Sequence, residues 1–209
     1  MENLDRELVA YVEREIIPRY RLFDAAHRED HVRTVIRESL ELGALYGLDA
    51  NMLYAAAAWH DTGLVAGRER HHLVSGEIVA ADEWLRGRFT GEQIRTIREA
   101  VEDHRASAGR EPRSLYGRIV AEADRVIDPG TTLRRTVAYG LSHCPELDRE
   151  GQYARFCEHL NSKYAPGGYL KLYIPESKNR ERLERLRALI ASPARLRAAF
   201  DALYDELAV

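Results

Sequence analysis

The sequence predicts an all-α protein, and three observations support this fold class. Apolar residues recur at i, i+3, i+4 and i+7 along nearly the whole chain, while the strict alternation typical of strands is missing. Gly, Pro, Ser, Thr and Asp residues mark the expected helix ends. No internal repeat or low-complexity tract interrupts the pattern. The 209 residues, 45% of them hydrophobic, therefore suit one soluble helical domain, or one domain with a small appendage.

Ten helices are predicted, and Gly, Pro, Ser, Thr and Asp residues mark where they begin or end. The helices cover about 4–17, 24–46, 50–61, 72–88, 91–106, 114–128, 131–142, 148–164, 176–191 and 194–207. The boundaries are Pro18, Gly47 with Asp49, Gly63, Thr90 with Gly91, Ser114, Pro129 with Gly130, Pro166 with two glycines, Pro175 and Pro193. The stretch 167–175 is expected to be extended or to form a packed loop. We expect a metal-binding core at 24–130 and a helical extension of the same domain at 131–209.

Charge and composition exclude several classes of protein. The 31 cationic side chains are outnumbered by 34 acids, so an extended nucleic-acid interface is not expected. No apolar run approaches the ~20 residues that a membrane helix needs. The charged start, MENLDRELVAYVER, is unlike a signal peptide, and the two cysteines are expected to be reduced. These features predict a cytoplasmic protein that does not bind a membrane.

The last two predicted helices carry a helical apolar stripe. It contains Leu183, Leu186, Leu189 and Ile190. Such a stripe fits packing against the body of the protein or against a second copy of the chain in a homodimer.

Histidine and aspartate residues extend the apolar faces of five predicted helices. In the third helix, Leu53, Ala56 and His60 share one face, and Asp61 follows just before Gly63 ends the helix. The residues placed in the same way on the four other helices are His31, His72, His104 and Asp124. One such residue is usually a core residue with a hydrogen-bonding partner. Six of them, buried separately, would be strongly destabilising.

A shared divalent cation would resolve this conflict, because it binds carboxylates and neutral imidazoles together. The mixed ligand set suits Mn²⁺, Fe²⁺, Ni²⁺, Co²⁺ or Zn²⁺, whereas Mg²⁺ prefers oxygen ligands. The sequence therefore predicts a site for at least one divalent metal ion.

The order His31, His60-Asp61 and Asp124 resembles the HD-domain superfamily of metal-dependent phosphohydrolases. The matching segments are EDHVRTVIRES, AAAAWHDTG and IVAEADRV, and the resemblance spans roughly residues 24–130. It implies a helical bundle that binds a metal ion through these four residues. It also implies hydrolysis of a phosphoester or phosphoanhydride.

Two further segments, HLVSGEIVA and VEDHR, fit the additional histidines of HD proteins that hold a second metal ion. We prefer His72 to His71 because Gly76 follows His72 at a spacing of four. His72 and His104 are expected to bind a second ion, or to contact substrate or water. The sequence leaves this choice open.

The predicted reaction uses a water molecule activated by the metal, with Asp61 as the catalytic residue. Asp61 is placed to bind the ion, to bridge a pair of ions and to orient the water. The expected substrate is a small phosphorylated molecule, and a nucleotide is favoured. Two alternatives stay open: an HD-type diiron oxygenase with the same ligand order, and a non-catalytic nucleotide sensor.

Cationic side chains are needed to hold the phosphate. All the lysines of the chain fall within residues 163–178, and they are Lys163, Lys171 and Lys178. This cluster is either an accident of an arginine-rich composition or a wall of the substrate pocket. Arg28, Arg33 and Arg125, each near a metal ligand in the sequence, are competing candidates. Arg33 and Arg125 fit equally well as partners of acids that orient the metal ligands.

Overall fold

The protein is helical. Its structure is a computed structural model that describes residues 4–23 and 29–208. Those two ranges contain eleven α-helices and no β-strand, so the predicted fold class is confirmed. Within them, no helix combines the length and the apolar character that crossing a membrane requires.

Short 3₁₀ segments lie between some of the α-helices. In chain order the α-helices are α1 (Arg6–Tyr11), α2 (Glu29–Leu45), α3 (Ala50–Trp59), α4 (His71–Ala81), α5 (Glu83–Arg86), α6 (Gly91–Asp103), α7 (Leu115–Ala123), α8 (Pro129–His143), α9 (Arg149–Tyr164), α10 (Asn179–Ile190) and α11 (Pro193–Leu207). A π-helical turn, Val12–Ile16, and a 3₁₀ segment, Ile17–Leu22, follow α1 directly. Two more 3₁₀ segments cover Thr62–Ala66 and Ala106–Ala108.

Two predicted boundaries are wrong. The predicted helix 72–88 is divided at Asp82, whose backbone is extended and whose carboxylate accepts a hydrogen bond from the Leu85 amide. This side chain caps the N-terminus of α5, so a separate short helix begins there. Pro18 does not end the first helical stretch, because its ring is accepted in the first turn of the 3₁₀ segment.

The chain divides into two compact units. The first contains the residues up to Arg125 together with Tyr173–Ser177. The second contains Val126–Leu172 and the chain from Lys178 onward. The predicted limit of the metal-binding core, residue 130, falls near this division. The assignment of both units to a single domain stays a prediction.

The core of the first unit forms around α3, which is buried on all sides. Every residue from Met52 to Trp59 is at most 6% exposed. A helix with this all-round apolar surface belongs in the interior, and α2, α6 and α7 pack against it. The run Ala55–Ala58 presents only methyl groups, so these neighbours can approach closely. His60 and Asp61, which follow α3 directly, are thereby brought into an interior position.

The second unit is built from α8 to α11 around Phe156, Leu160 and Phe200. Leu183 and Leu186 of the predicted apolar stripe are buried in it. The stretch 167–175 has no strand pairing, since the Tyr169 and Leu170 amides donate to the carbonyls of the preceding helix end. Both cysteines of the chain, Cys144 and Cys157, are free thiols, as expected.

Candidate metal centre

Six histidine and aspartate side chains of the first unit form two adjoining groups that could hold metal ions. Within each group the ligand atoms all lie within 4.8 Å of one another. The first ligand group consists of His31, His60 and Asp124. The second ligand group consists of Asp61, His71 and His104. Five of the six ligands that the sequence predicts are thus brought together.

The first ligand group centres on His31 in the first turn of α2. Its Nε2 lies 3.2 Å from Oδ1 of Asp124 and 3.3 Å from Nε2 of His60. His31 and His60 are buried, whereas the side chain of Asp124 is 23% exposed. The group therefore opens to solvent on the side of Asp124.

Asp61 joins the two groups through its two carboxylate oxygens. Its Oδ2 lies 3.1 Å from Nε2 of His60. Its Oδ1 lies 3.4 Å from Nε2 of His71 and 3.3 Å from Nε2 of His104. The two Nε2 atoms of the second ligand group are 3.1 Å apart. Asp61 is 2% exposed, so this junction is closed to bulk water.

The tautomers of three histidines follow from their hydrogen bonds. His60, His71 and His104 each place Nδ1 within 2.6–2.7 Å of the backbone carbonyl three residues earlier. A carbonyl oxygen can only accept, so each Nδ1 carries the hydrogen. In each neutral ring, Nε2 is then a hydrogen-bond acceptor, and it faces the Nε2 atom of another histidine and a carboxylate oxygen, which are also acceptors. Acceptors that face one another in this way need a shared cation, and the residues present therefore fit a divalent metal ion.

Three helices end at this site, and their last turns deliver three of the six side chains. His60, His104 and Asp124 are the C-cap residues of α3, α6 and α7. The carbonyl end of a helix carries partial negative charge, which favours a cation nearby. The site therefore combines two carboxylates with the negative ends of three helices.

Both carboxylates are ionised in this setting. Burial alone would raise the pKa of Asp61, but His60 and His104 hold it well below its usual range. Burial would likewise raise the pKa of Asp124, and the hydrogen bond and charge of His31 lower it instead. Burial would lower the pKa of His60, but the negative charge of Asp61 raises it to about 9.

Tyr20 fixes the backbone of the His60-Asp61 pair, and the sequence analysis did not identify it. Its hydroxyl donates a 2.9 Å hydrogen bond to the Ala58 carbonyl and accepts a 3.3 Å bond from the Asp61 amide. The ring is fully buried. The signal available in the sequence was weak, since Tyr20 lies in a short segment after Pro18 without helical periodicity.

A network of charges holds the end of α6, which carries His104. Asp103 accepts hydrogen bonds from the backbone and the guanidinium of Arg113, and Glu102 binds both Arg113 and Arg98. A Cβ on Gly76 would lie 2.6 Å from Cγ of Glu102, so α4 needs glycine there to make room for this buried carboxylate. The four-residue spacing from His72 to Gly76 therefore reflects packing and gives no information about a ligand.

The preference for His72 over His71 is corrected by the structure. His71 faces Asp61 and His104, whereas His72 belongs to neither ligand group. The two rings lie side by side with centroids 5.6 Å apart, and Nδ1 of His72 is buried without a hydrogen-bond partner. Burial, followed by the positive charges of His104 and Arg105, lowers the pKa of His72 to about 4. His72 is thus a neutral neighbour of the site.

The arginines and lysines that the sequence predicts as phosphate ligands lie in different surroundings. Arg33 forms two hydrogen bonds of 2.7 and 2.6 Å with the carboxylate of Glu13, so its guanidinium is engaged away from the ligand groups. Its position two residues after His31 turns it to another face of α2. Arg28 lies outside the described residues. Substrate binding by the three lysines stays a prediction, and all of them belong to the second unit: Lys163, Lys171 and Lys178.

Comparison with known families matches the HD domain to residues 28–127, just under half of the chain. This match covers α2 to α7 and all six side chains of the two ligand groups. Residues 28–127 are therefore similar to the HD domain, which agrees with the resemblance of the sequence to the HD-domain superfamily. Among the curated proteins and the solved structures, no match to the chain was found.

HD domains are generally metal-dependent hydrolases, and the superfamily binds divalent metals. The buried His and Asp groups of this chain provide a ligand set that could hold such an ion.

Proposed function

We propose that the protein is a divalent-metal-dependent phosphohydrolase that cleaves a phosphoester or phosphoanhydride of a small phosphorylated molecule, with a nucleotide as the favoured class. The single observation that carries this proposal is the position of Asp61. One of its oxygens faces the first ligand group and the other faces the second. A carboxylate placed in this way is suited to bridge two ions about a hydrolytic water.

Each ligand group would hold one ion in this proposal. His31, His60 and Asp124 would hold the first, His71 and His104 the second, and Asp61 would be shared. A bound divalent cation supplies a Lewis acid that polarises the phosphoryl group and lowers the pKa of water. Mn²⁺, Fe²⁺, Ni²⁺, Co²⁺ and Zn²⁺ suit the mixed ligands.

The protein's own residues set the direction of substrate entry. His31, His60, Asp61 and His104 are buried, while the side chains of Asp124 and His71 are 23% and 13% exposed. The substrate phosphate is therefore expected to reach the centre from the side of these two residues. The buried, ionised Asp61 orients water by accepting its hydrogen bond and keeps bulk solvent from the reacting atoms.

The favoured nucleotide class rests on the cationic residues of the chain. A polyphosphate carries several negative charges and needs compact, mobile cations such as lysine ammonium groups. The three lysines within residues 163–178 are the candidates. We propose them as phosphate ligands, and alanine substitution of at least one should lower kcat/KM about ten- to a hundredfold without loss of metal.

The test of the proposed function begins with the metal content of protein purified without chelator. The protein is then assayed with each of the five metal ions against a panel of nucleotides and small phosphoesters. Release of phosphate or pyrophosphate that stops in D61N protein supports the proposal. If no member of the panel is hydrolysed by the metal-loaded protein, the phosphohydrolase assignment loses its support.

An HD-type diiron oxygenase is a second candidate, because its chemistry would use the same complete set of four histidines and two aspartates. It predicts two iron ions per chain and oxygen uptake that depends on substrate. A nucleotide sensor predicts tight nucleotide binding without turnover. The same purified protein distinguishes these outcomes from hydrolysis.

A further inference from the structure

Arg125 is a buried guanidinium placed between the ends of two helices that carry metal ligands. Its side chain is 3% exposed. Its Nη1 donates a 2.8 Å hydrogen bond to the backbone carbonyl of His104 and lies 3.8 Å from Oδ2 of Asp124. His104 belongs to the second ligand group, and Asp124 belongs to the first.

Burying a guanidinium in this position costs free energy, because a buried charge is unfavourable unless it is paired and hydrogen-bonded. The pairing here is incomplete, because Nε of Arg125 is buried without a hydrogen-bond partner. The His104 carbonyl lies at the C-terminal end of α6, where carbonyl groups have no partner within the helix and a cation is favoured. Burial of the incompletely paired Arg125 side chain therefore lowers the stability of the fold, while its contacts hold the ends of α6 and α7 together.

We infer that Arg125 is a positioning residue that couples the two ligand groups by holding the His104 backbone in register with Asp124. Asp61 joins the groups through its two carboxylate oxygens, and Arg125 joins them through the His104 backbone carbonyl and the Asp124 carboxylate. The inference rests on the proposed two-ion centre. It assigns Arg125 to the orientation of ligands, with no contact to the reacting atoms.

Loss of Arg125 should act mainly on the second ion. His104 is a ligand of the second group, and its backbone is then free to shift, whereas Asp124 keeps its contact with His31. Residues that orient metal ligands typically contribute about ten- to a hundredfold to metal affinity. We therefore expect R125M to bind the second Mn²⁺ about ten- to a hundredfold more weakly, with a smaller change for the first ion.

The experiment is a calorimetric titration of Mn²⁺ into the full-length, metal-stripped protein, with wild type, R125M and R125K compared. Lysine keeps the charge but offers a single donor group, so R125K should lie between the other two. L85A is the stability control, because Leu85 is fully buried in α5, which carries none of the six ligands. R118M is the charge control, because Arg118 is exposed on α7.

Weaker binding of the second ion in R125M, with both controls like wild type, supports the inference. An unchanged second affinity in R125M overturns it, and so does an equal loss in L85A. If R125M fails to fold, unchanged binding by R125K overturns it. A wild-type chain that binds two ions without hydrolysing phosphoesters would contradict the proposed function alone, whereas one that binds fewer than two ions but hydrolyses them would overturn this inference alone.

Discussion

The backbone N–H of Gly63 donates a 2.8 Å hydrogen bond to the hydroxyl of Ser75, which lies in the first half of α4. A Cβ at position 63 would lie 2.1 Å from the carbonyl oxygen of His71 and 2.5 Å from the Ser75 nitrogen. The segment after Asp61 therefore touches the start of α4 backbone against backbone. This contact brings His71 to the carboxylate of Asp61.

G63A should separate these two segments, because the backbone atoms that a methyl group would meet cannot rotate away. We expect the free energy of unfolding to fall by about 1–3 kcal/mol, as in overpacked cores. We also expect weaker Mn²⁺ binding at the second ligand group. Thermal unfolding and calorimetry measure the two effects. G91A is the matched control, since its Cβ would meet no atom within 4 Å. A G63A protein with wild-type stability and metal binding would contradict this account.

D61N should abolish metal binding at both ligand groups and leave the helical content nearly unchanged. Asparagine keeps the shape of the side chain but removes the charge that faces His60 on one side and His104 on the other. D124N removes a charge from the first group alone and should spare the second ion. Elemental analysis and circular dichroism measure metal and helix content. Two ions retained in D61N would exclude Asp61 as the shared ligand.

The sequence was sufficient for the fold class and for most of the candidate centre. Helical periodicity places His31, His60 and His104 on buried faces, and the alanine-rich helix before Asp61 indicates an interior position. Such patterns are local, so they can be read without knowledge of tertiary contacts. The structure brings these side chains together as that reading requires.

The remaining features depend on contacts between segments that are distant in the chain. Periodicity cannot separate His71 from His72, because Ser75 and Gly76, four residues after each, are both buried. The choice depends on the bond between Gly63 and Ser75, which no local pattern indicates. Two more contacts of this kind are those of Tyr20 with the Asp61 amide and of Arg125 with the His104 carbonyl.

H71A and H72A form a matched pair that tests the corrected assignment. H71A should lower Mn²⁺ stoichiometry from two ions to one, because Nε2 of His71 faces Asp61 and His104. H72A should keep two ions, since His72 lies in neither ligand group. Calorimetric titration of both variants beside wild type measures the difference. The opposite result, with an ion lost only in H72A, would restore the assignment made from the sequence.

Glu122 is a fully buried carboxylate that holds Tyr173–Ser177 within the first unit. Its Oε2 accepts a 2.7 Å hydrogen bond from the Tyr173 amide and a longer one from the Ile174 amide. Its Oε1 accepts a hydrogen bond from the Ser177 hydroxyl. Glu122 lies on α7 two residues before Asp124, so one helix provides both a metal ligand and this anchor.

E122A should therefore lower the free energy of unfolding by at least about 2 kcal/mol, since each buried donor left without a partner costs about 1–3 kcal/mol. Urea unfolding measures this as a lower midpoint at a constant slope. E176A is the matched control, because Glu176 lies in the same segment but is exposed, and its carboxylate accepts a hydrogen bond from the Tyr46 hydroxyl. Its effect should stay within about 0.5 kcal/mol. If E122A and E176A unfold at the same urea concentration as wild type, the segment is held by its apolar contacts, with Ile174 as the main one, and Glu122 is not its anchor.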